Sequence, residues 1–471
     1  MVKAKKKPDL TEGPIFSKML LFTLPIMATA LLQVFYNMAD NIVVGSFSGD
    51  DLALAAVGST SSLTSVVVSL LMGLATGAGV AVAQAYGAKD NERVSRSVHT
   101  AVTFSFILGI AFSTLAFILA EPLLTLLGTK SELYESALLY YRIICIGLPA
   151  STIYNFASAI LRSCGDSRSP LYILSCSGLI NVILNIFFVI VCKMTVDGVA
   201  IATVVSQYLA AAVFIIILLK NQSEPYALSM KKLGIDRSAL ARIIRLGLPA
   251  GLQSSLFGLT NAMLTGAVNT LPTTSISAKT IAFNIDGISY TAMNSFLHST
   301  MAFVGQNYGA KKLDRIKKTT VCAIVQVTMF GIVMGALLLT FSDMIIGMYL
   351  DPMNPDYAVI VETTKALMTE ILSIYFLCGI MDTLSGILRG LGNSMAPMVI
   401  SIVGNVVIRA IWIYVFFPME IFNDLCGLYY CYPITWIIVD ISMLLVLMHT
   451  WKKIKAELGD STEKEKAALN A

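Results

Sequence analysis

The sequence predicts an all-α integral membrane protein, with twelve transmembrane helices in two pseudo-symmetric six-helix bundles and both termini cytoplasmic. Three observations carry that expectation. Charge is too scarce to cover a soluble surface, apolar runs of spanning length recur twelve times, and the second half of the chain repeats short motifs of the first.

Of 471 residues, 56% are hydrophobic and only 13% charged, where a soluble domain carries about 25% charged residues. The mean hydropathy is +0.76. The 33 basic and 29 acidic side chains are too few for a water-exposed surface on a chain of this length, whereas lipid-facing surface needs almost none. A soluble fold is therefore excluded. The start, with Lys3, Lys5, Lys6 and Lys7 ahead of an apolar run, has the layout of a secretory signal peptide. That reading fails because the apolar stretch runs from about Met19 to Val44, contains Pro25 and offers no small-x-small cleavage site; it is long enough to be a span. The eight cysteines form no C-x-x-C and no His/Cys cluster of metal spacing, so they read as small buried residues. Only Cys426 and Cys431, on the outer side, leave a pairing open.

A hydrocarbon core of roughly 30 Å takes about 20 helical residues. In order, the chain offers segments 17–45, 54–84, 97–120, 136–161, 170–192 and 197–219, then, after a polar basic stretch, 247–269, 276–305, 319–341, 360–388, 396–417 and 428–451. The resulting organisation is a basic cytoplasmic tail (1–16), an N-terminal six-helix bundle (17–219), a cytoplasmic linker (220–245), a C-terminal six-helix bundle (246–451) and a cytoplasmic tail (452–471). Orientation follows from the basic residues, which cytoplasmic loops retain. The even-numbered loops and the tails hold Lys89, Arg93, Arg96, Arg162, Arg168, Lys231, Lys232, Arg237, Lys311, Lys312, Arg315, Arg389, Lys452 and Lys453. The odd-numbered loops hold only Lys130, Lys193 and Lys279, beside acids such as Asp50, Asp51, Glu132, Asp351 and Asp356.

The halves repeat one another. Gln84-Ala-Tyr-Gly-Ala-Lys89 follows the second span and Gln306-Asn-Tyr-Gly-Ala-Lys311 the eighth; Leu24-Pro25 recurs as Leu248-Pro249, and Ile160-Leu-Arg162 with Pro170 as Ile387-Leu-Arg389 with Pro397. Because each half has an even number of spans, both enter the membrane from the same side, and parallel repeats of this kind place a cavity between them.

Ionisable and amide groups inside spans are costly and mark function or pairing. Asp40 is the one acid of the first span. It lies roughly 35 Å along that helix at 1.5 Å per residue, so a site residue and an acid at the outer interface are both open readings. Asn181 and Asn185, one turn apart on the fifth span, share a face and serve either a site or helix packing. In the second half Asp286 lies in the eighth span and Asp382 in the tenth, where it either lines the cavity or pairs with Arg389. His99, His298 and His449 are isolated and read as core or interface histidines. Arg142 and Arg409, unusual inside spans, pair with acids or snorkel. The 22 methionines and 22 phenylalanines suit a soft, adaptable wall, though most are simply membrane core.

Phe35-Tyr36-Asn37-Met38-Ala39-Asp40-Asn41-Ile42-Val43-Val44-Gly45, Ala55-Ala56-Val57-Gly58 and Leu161-Arg162-Ser163-Cys164-Gly165-Asp166-Ser167-Arg168-Ser169-Pro170 together resemble the multidrug and toxic compound extrusion (MATE) family over nearly the whole chain. The resemblance implies two six-helix bundles and secondary-active export of small organic, often cationic, compounds by antiport with H⁺ or Na⁺. It implies that Asp40, Asn181, Asn185 and Thr203 form one oxygen-rich coupling pocket, the metal site if Na⁺ is the ion; the substrate-cavity candidates are Tyr36 and Asn37 of the Tyr-Asn-x-x-Asp-type motif with Gln253, Asp286 and Asp382, although Asp382 does not fall on the family's acid of the tenth span. Asn185 stands where the family commonly has an acid, which favours H⁺, and the family's acid on the seventh span has no counterpart between Gly247 and Asn269.

The mechanism expected is that Asp40 takes up a proton from outside, the packing of spans 1, 5 and 6 changes, and the cavity releases its substrate. Pro25, which removes a helix hydrogen bond, marks a bend point. The rival readings are a lipid-linked saccharide flippase, for which Arg142 and Arg409 supply too little cavity charge, and a narrow-substrate metabolite exporter. A membrane-embedded enzyme would need a paired-acid, Ser/His or metal constellation in its spans, and none is legible. No cofactor and no nucleic-acid partner are expected, only substrates, membrane lipids and the coupling ion, for a monomer in a multi-pass arrangement in a prokaryotic cell membrane.

Overall fold

In hydrocarbon a backbone amide has no water to bond, so each apolar run must close its hydrogen bonds within itself. The computed structural model describes residues 9–47 and 52–469, and every regular element among them is a helix. The basic residues Lys3 to Lys7 and the acids Asp50 and Asp51 lie outside the described residues. The long helices are α1 (Ile15–Phe47), α2 (Ala53–Gly87), α3 (Asn91–Ile118), α4 (Ser131–Ser163), α5 (Arg168–Ile186, continued by a π turn at Phe187–Val191) and α6 (Val196–Lys220). In the second half they are α7 (Arg237–Val268), α8 (Thr273–Gly309), α9 (Leu313–Thr340), α10 (Tyr357–Leu372 and Phe376–Gly390), α11 (Met395–Phe416) and α12 (Cys431–Leu469).

Among the described residues nine helices are long and apolar enough to cross a membrane, or ten with the two parts of α10 taken as one span. α7 and α8 complete the twelve. They are more polar because Arg237, Arg242 and Arg245 open α7, while Lys279, Asn284, Asp286, Asn294 and His298 interrupt α8. Large apolar side chains such as Leu21, Ile42, Ile107, Ile183, Val333 and Leu445 are exposed. In a soluble protein this would be a defect; here it is the surface that lipid covers.

Two departures from a straight span were not foreseen. α10 bends by 41° across Ser373 to Tyr375, with neither Pro nor Gly at the break. Tyr375 turns inward there, its ring edge-on to Trp436 at 5.6 Å. α11 is π-helical at Val403–Ile408 and again at Trp412–Phe416, with Arg409 between the two stretches. Gly404 lies so close to α12 that a Cβ there would overlap the Val439 side chain.

The sequence repeat is also a backbone repeat. α2 and α8 each end with a lysine in the left-handed region, Lys89 at φ 57° and Lys311 at φ 56°; α4 and α10 each end with a left-handed glycine, Gly165 at 89° and Gly392 at 93°. All four close with the same pair of bonds: for Gly165, its N–H to the Arg162 carbonyl and the Asp166 N–H to the Leu161 carbonyl, and for Gly392 the same to Arg389 and Leu388. These are Schellman closures, and they satisfy carbonyls that a helix end otherwise leaves open. The packing repeats too: α4 packs on α2, α3 and α6, and α10 on α8, α9 and α12.

Contacts divide the chain into two units, one of Leu21–Gly258, the other of Leu10–Leu20 with the chain from Leu259 on. In the first, the segment after α6 is tied to α3: the Ser229 N–H donates to His99 Nε2 at 2.9 Å and the Asp236 N–H to Thr100 Oγ1 at 3.0 Å. His99 Nδ1 lies 2.7 Å from the Ser95 carbonyl, so His99 is a structural histidine. Asp236, whose bonds to Ser238 and to the Ala239 N–H hold its carboxyl below the ordinary range, caps the start of α7. Arg142 is also settled: it pairs with Glu121 at 2.7 Å and lies over the Phe117 ring at 5.2 Å. In the second unit Arg315 gathers the N-terminal residues, donating to the carbonyls of Glu12 and Gly13 at 2.8 Å each. All eight cysteines are free, so Cys426 and Cys431 form no disulfide, and Cys431 is buried.

Candidate functional site

The first unit gathers three spans around an oxygen cluster. Asp40 sits on the outer third of α1, and its Oδ1 accepts a hydrogen bond from Asn185 Nδ2 of α5. One turn earlier on α5, Asn181 Nδ2 donates to Thr203 Oγ1 of α6 at 3.3 Å, and that hydroxyl donates to the Val199 carbonyl at 3.0 Å. The four residues named from the sequence thus form two bonded pairs on adjacent turns of α5. Asn181 and Asn185 are buried, Asn185 completely, whereas Asp40 is half-buried. Tyr140 of α4 lies close enough to feel the Asp40 charge; nothing in its sequence surroundings marks it.

The Asn185 amide suits a group that changes protonation. Its Nδ2 donates to the Asp40 carboxylate, while its Oδ1 is buried with no partner among the described residues. A carboxylate accepts only, a carboxylic acid also donates, and an amide offers both a donor and an acceptor. Rotation of the amide about its own bond therefore meets either form of Asp40. Immediately after Asn185 the helix loosens into the π turn Phe187–Val191, a feature frequent at functional sites. As a cation site the cluster offers one carboxylate, two amides and one hydroxyl. Among the described residues no three His, Cys, Asp or Glu are placed together to hold a metal.

Tyr36, one turn before Asp40, lays its ring against Gly178 of α5, and its hydroxyl donates to the Ser175 carbonyl at 3.0 Å. A Cβ at Gly178 would overlap the ring. Gly178→Ala is expected to destabilise the protein by about 1–3 kcal/mol and Tyr36→Phe by about 1 kcal/mol. In Gly178→Ala with Tyr36→Ala the two effects should not add, measured by thermal unfolding in detergent; strict additivity would mean that the ring is not what the methyl meets.

The other predicted residues lie apart. Asn37 is exposed on α1. Gln253 is buried on α7 in the first unit. Asp286 of α8 and Asp382 of α10 belong to the second unit. Asp286 takes a hydrogen bond from Tyr375 at the α10 break. Asp382 is buried, accepts from Asn294 Nδ2 at 2.9 Å and lies within electrostatic reach of Arg389. Among the described residues Arg409 pairs with no acid by contact: its guanidinium lies 3.9 Å from the Tyr432 ring centroid, and its Nε is 3.3 Å from Thr435 Oγ1. Acids inside spans that the sequence analysis did not single out are Glu370 of α10 and Asp440, buried in the apolar part of α12; both were legible by the rule that marks Asp40.

Comparison with known proteins agrees with this architecture. The family model MatE matches residues 25–187 and 249–415, one stretch in each half. The chain is 28% identical over 466 residues, 95% of its length and 96% of the relative's, to the probable multidrug resistance protein YoeA of Bacillus subtilis (strain 168). It is 25% identical over 405 residues, 84% of this chain and 86% of that one, to the multidrug export protein MepA of Staphylococcus aureus (strain MRSA252). A solved structure, the outward-facing conformation of a multidrug resistance MATE family transporter of the MOP superfamily, aligns with a TM-score of 0.86 at 20% identity, covering 96% of this chain and 99% of that one. With two matched stretches that together span more than half of its length, repeated over twelve membrane helices, the chain belongs to the multidrug and toxic compound extrusion (MATE) family.

Proposed function

We propose that this protein is a secondary-active multidrug exporter of the cell membrane, which expels small organic, often cationic, compounds by antiport, and that its coupling ion is H⁺ carried by Asp40. The observation that carries the reading is the bond between Asp40 and the Asn185 amide inside spans that are otherwise apolar. A lone carboxylate there is costly when charged, and proton uptake removes that cost. A Na⁺ ion at this place would find one formal negative charge among the clustered Asp40, Asn181, Asn185 and Thr203, and a hard cation gains from more. The working unit is a single chain in lipid, with no cofactor.

The test is ethidium accumulation in an efflux-deficient bacterial host or its membrane vesicles, with an imposed pH gradient and then an imposed Na⁺ gradient. Export that follows the pH gradient alone is the expected result. Export of a wide range of dyes under neither gradient, with the protein verified in the membrane, would remove the antiporter reading. A second measurement addresses the ion directly. Asn185→Asp places a second carboxylate beside Asp40, and export driven by Na⁺ is expected to appear where wild type has none. A variant that stays indifferent to Na⁺ would mean that charge count at this pocket does not choose the ion.

A further inference from the structure

The second unit holds buried ionisable groups that the Asp40 cluster does not use. Asp286, Tyr290 and Asn294 come from α8, Tyr375 from the break of α10, Cys378, Asp382 and Arg389 from the half of α10 beyond it, Arg409 from between the π stretches of α11, and Tyr432 and Asp440 from α12. Cys378 is within electrostatic reach of Asp286, Asp382, Arg409 and Asp440 at once, which puts these groups around one point.

Within that set Asp440 differs from the other acids. Asp286 has the Tyr375 hydroxyl and Asp382 has the Asn294 amide, with the charge of Arg389 acting on it. Asp440 is 6% exposed, and both of its carboxyl oxygens are buried without a hydrogen-bond partner among the described residues. Asp382 is near enough for its charge to act on Asp440. A carboxylate so placed would face three penalties together: lost hydration, no donor to either oxygen, and a like charge beside it. A metal ion would relieve them only by drawing further ligands to those oxygens, and among the described residues no three His, Cys, Asp or Glu are placed to hold one.

We propose that Asp440 of α12 is a second proton-binding residue, occupied by a proton in this arrangement near an ionised Asp382, so that the second unit binds a proton of its own apart from the one at Asp40. The proton comes from water and returns to water, and only the O–H bond of the carboxyl forms and breaks. Its loss would leave two neighbouring carboxylates in a medium that screens poorly. The elements against them are the bent α10 and the π-helical α11, and broken or π-distorted spans are where transporters rearrange around an ion.

The experiment is infrared difference spectroscopy of the purified full-length protein, following the protonated carboxyl C=O stretch as pH is raised, without Na⁺ and then with it. No transported compound is needed, so this test and the multidrug reading fail independently. Wild type and Asp40→Asn are expected to share a band that bleaches at alkaline pH and is lost in Asp440→Asn, a neutral replacement of nearly the same shape. Asp440→Glu, which keeps a carboxyl, should retain the band at a displaced frequency. That displacement assigns the band even if the asparagine variant does not fold. A band that neither moves in Asp440→Glu nor disappears in Asp440→Asn would overturn the proposal. So would loss of the band when Na⁺ is added at constant pH, which would assign the place to a metal ion.

Discussion

Asp40→Asn is expected to leave the protein folded and inserted while uphill export falls to the background of a host that lacks it. Asparagine has nearly the shape of the protonated acid and can still bond Asn185, whose amide offers both donor and acceptor. What it cannot do is bind and release a proton. The loss should therefore be of coupling and not of binding. Exchange of labelled for unlabelled substrate across the membrane, which needs no ion gradient, is expected to persist in the variant, while accumulation against a concentration gradient disappears. Asp40→Glu keeps the titrating group on a longer arm and should restore part of the uphill activity. Wild-type uphill export by a folded Asp40→Asn protein would end the role proposed for this residue.

The candidate site was legible to the extent that one rule applied. An ionisable or amide group in an apolar span must have a partner or a function, and that rule alone marks Asp40, Asn181, Asn185, Asp286 and Asp382. Who bonds whom was not legible. The pairing of Asp40 with Asn185, and of Asn181 with Thr203, depends on how α1, α5 and α6 meet, which no periodicity within one helix encodes. Tyr140 is a further case: a tyrosine in a span is ordinary, and only the fold brings it to Asp40. Gly178 has the same character, because its purpose is to leave room for a ring from another helix.

The fold was legible for a different reason. Hydrocarbon enforces helices of a set length, and the repeated Tyr-Gly-Ala-Lys ends announced two halves that the left-handed residues at Lys89 and Lys311 then share. The distortions of α10 and α11 escaped because neither the break at Ser373 to Tyr375 nor the π stretches carry proline; what marks them is tertiary, the contact of Tyr375 with Trp436 at the break and the close approach of Gly404 to Val439 in the first π stretch.

Gly73→Ala is expected to cost about 3 kcal/mol, the upper end of what overpacking costs. Within the first unit α2 and α7 meet through glycines, Gly73 and Gly77 against Gly247 and Gly251. A Cβ on Gly251 would stand 2.7 Å from the Leu70 carbonyl oxygen, one on Gly247 2.7 Å from Leu74 Cα, and one on Gly73 would overlap the Gly251 backbone. In every case the obstruction is main chain, which no rotamer change relieves, so the helices themselves must part. Small residues that let spans approach this closely are what replaces hydrophobic drive between helices in lipid. The control is Gly58 on the same helix, where an added Cβ meets nothing within 4 Å. There alanine should be neutral or stabilising by up to about 1 kcal/mol, because it favours the helix over glycine. Thermal unfolding in detergent separates the two, with Gly73→Ala losing several degrees and Gly58→Ala none. Equal shifts would mean that helix propensity, and not the contact of α2 with α7, governs these positions.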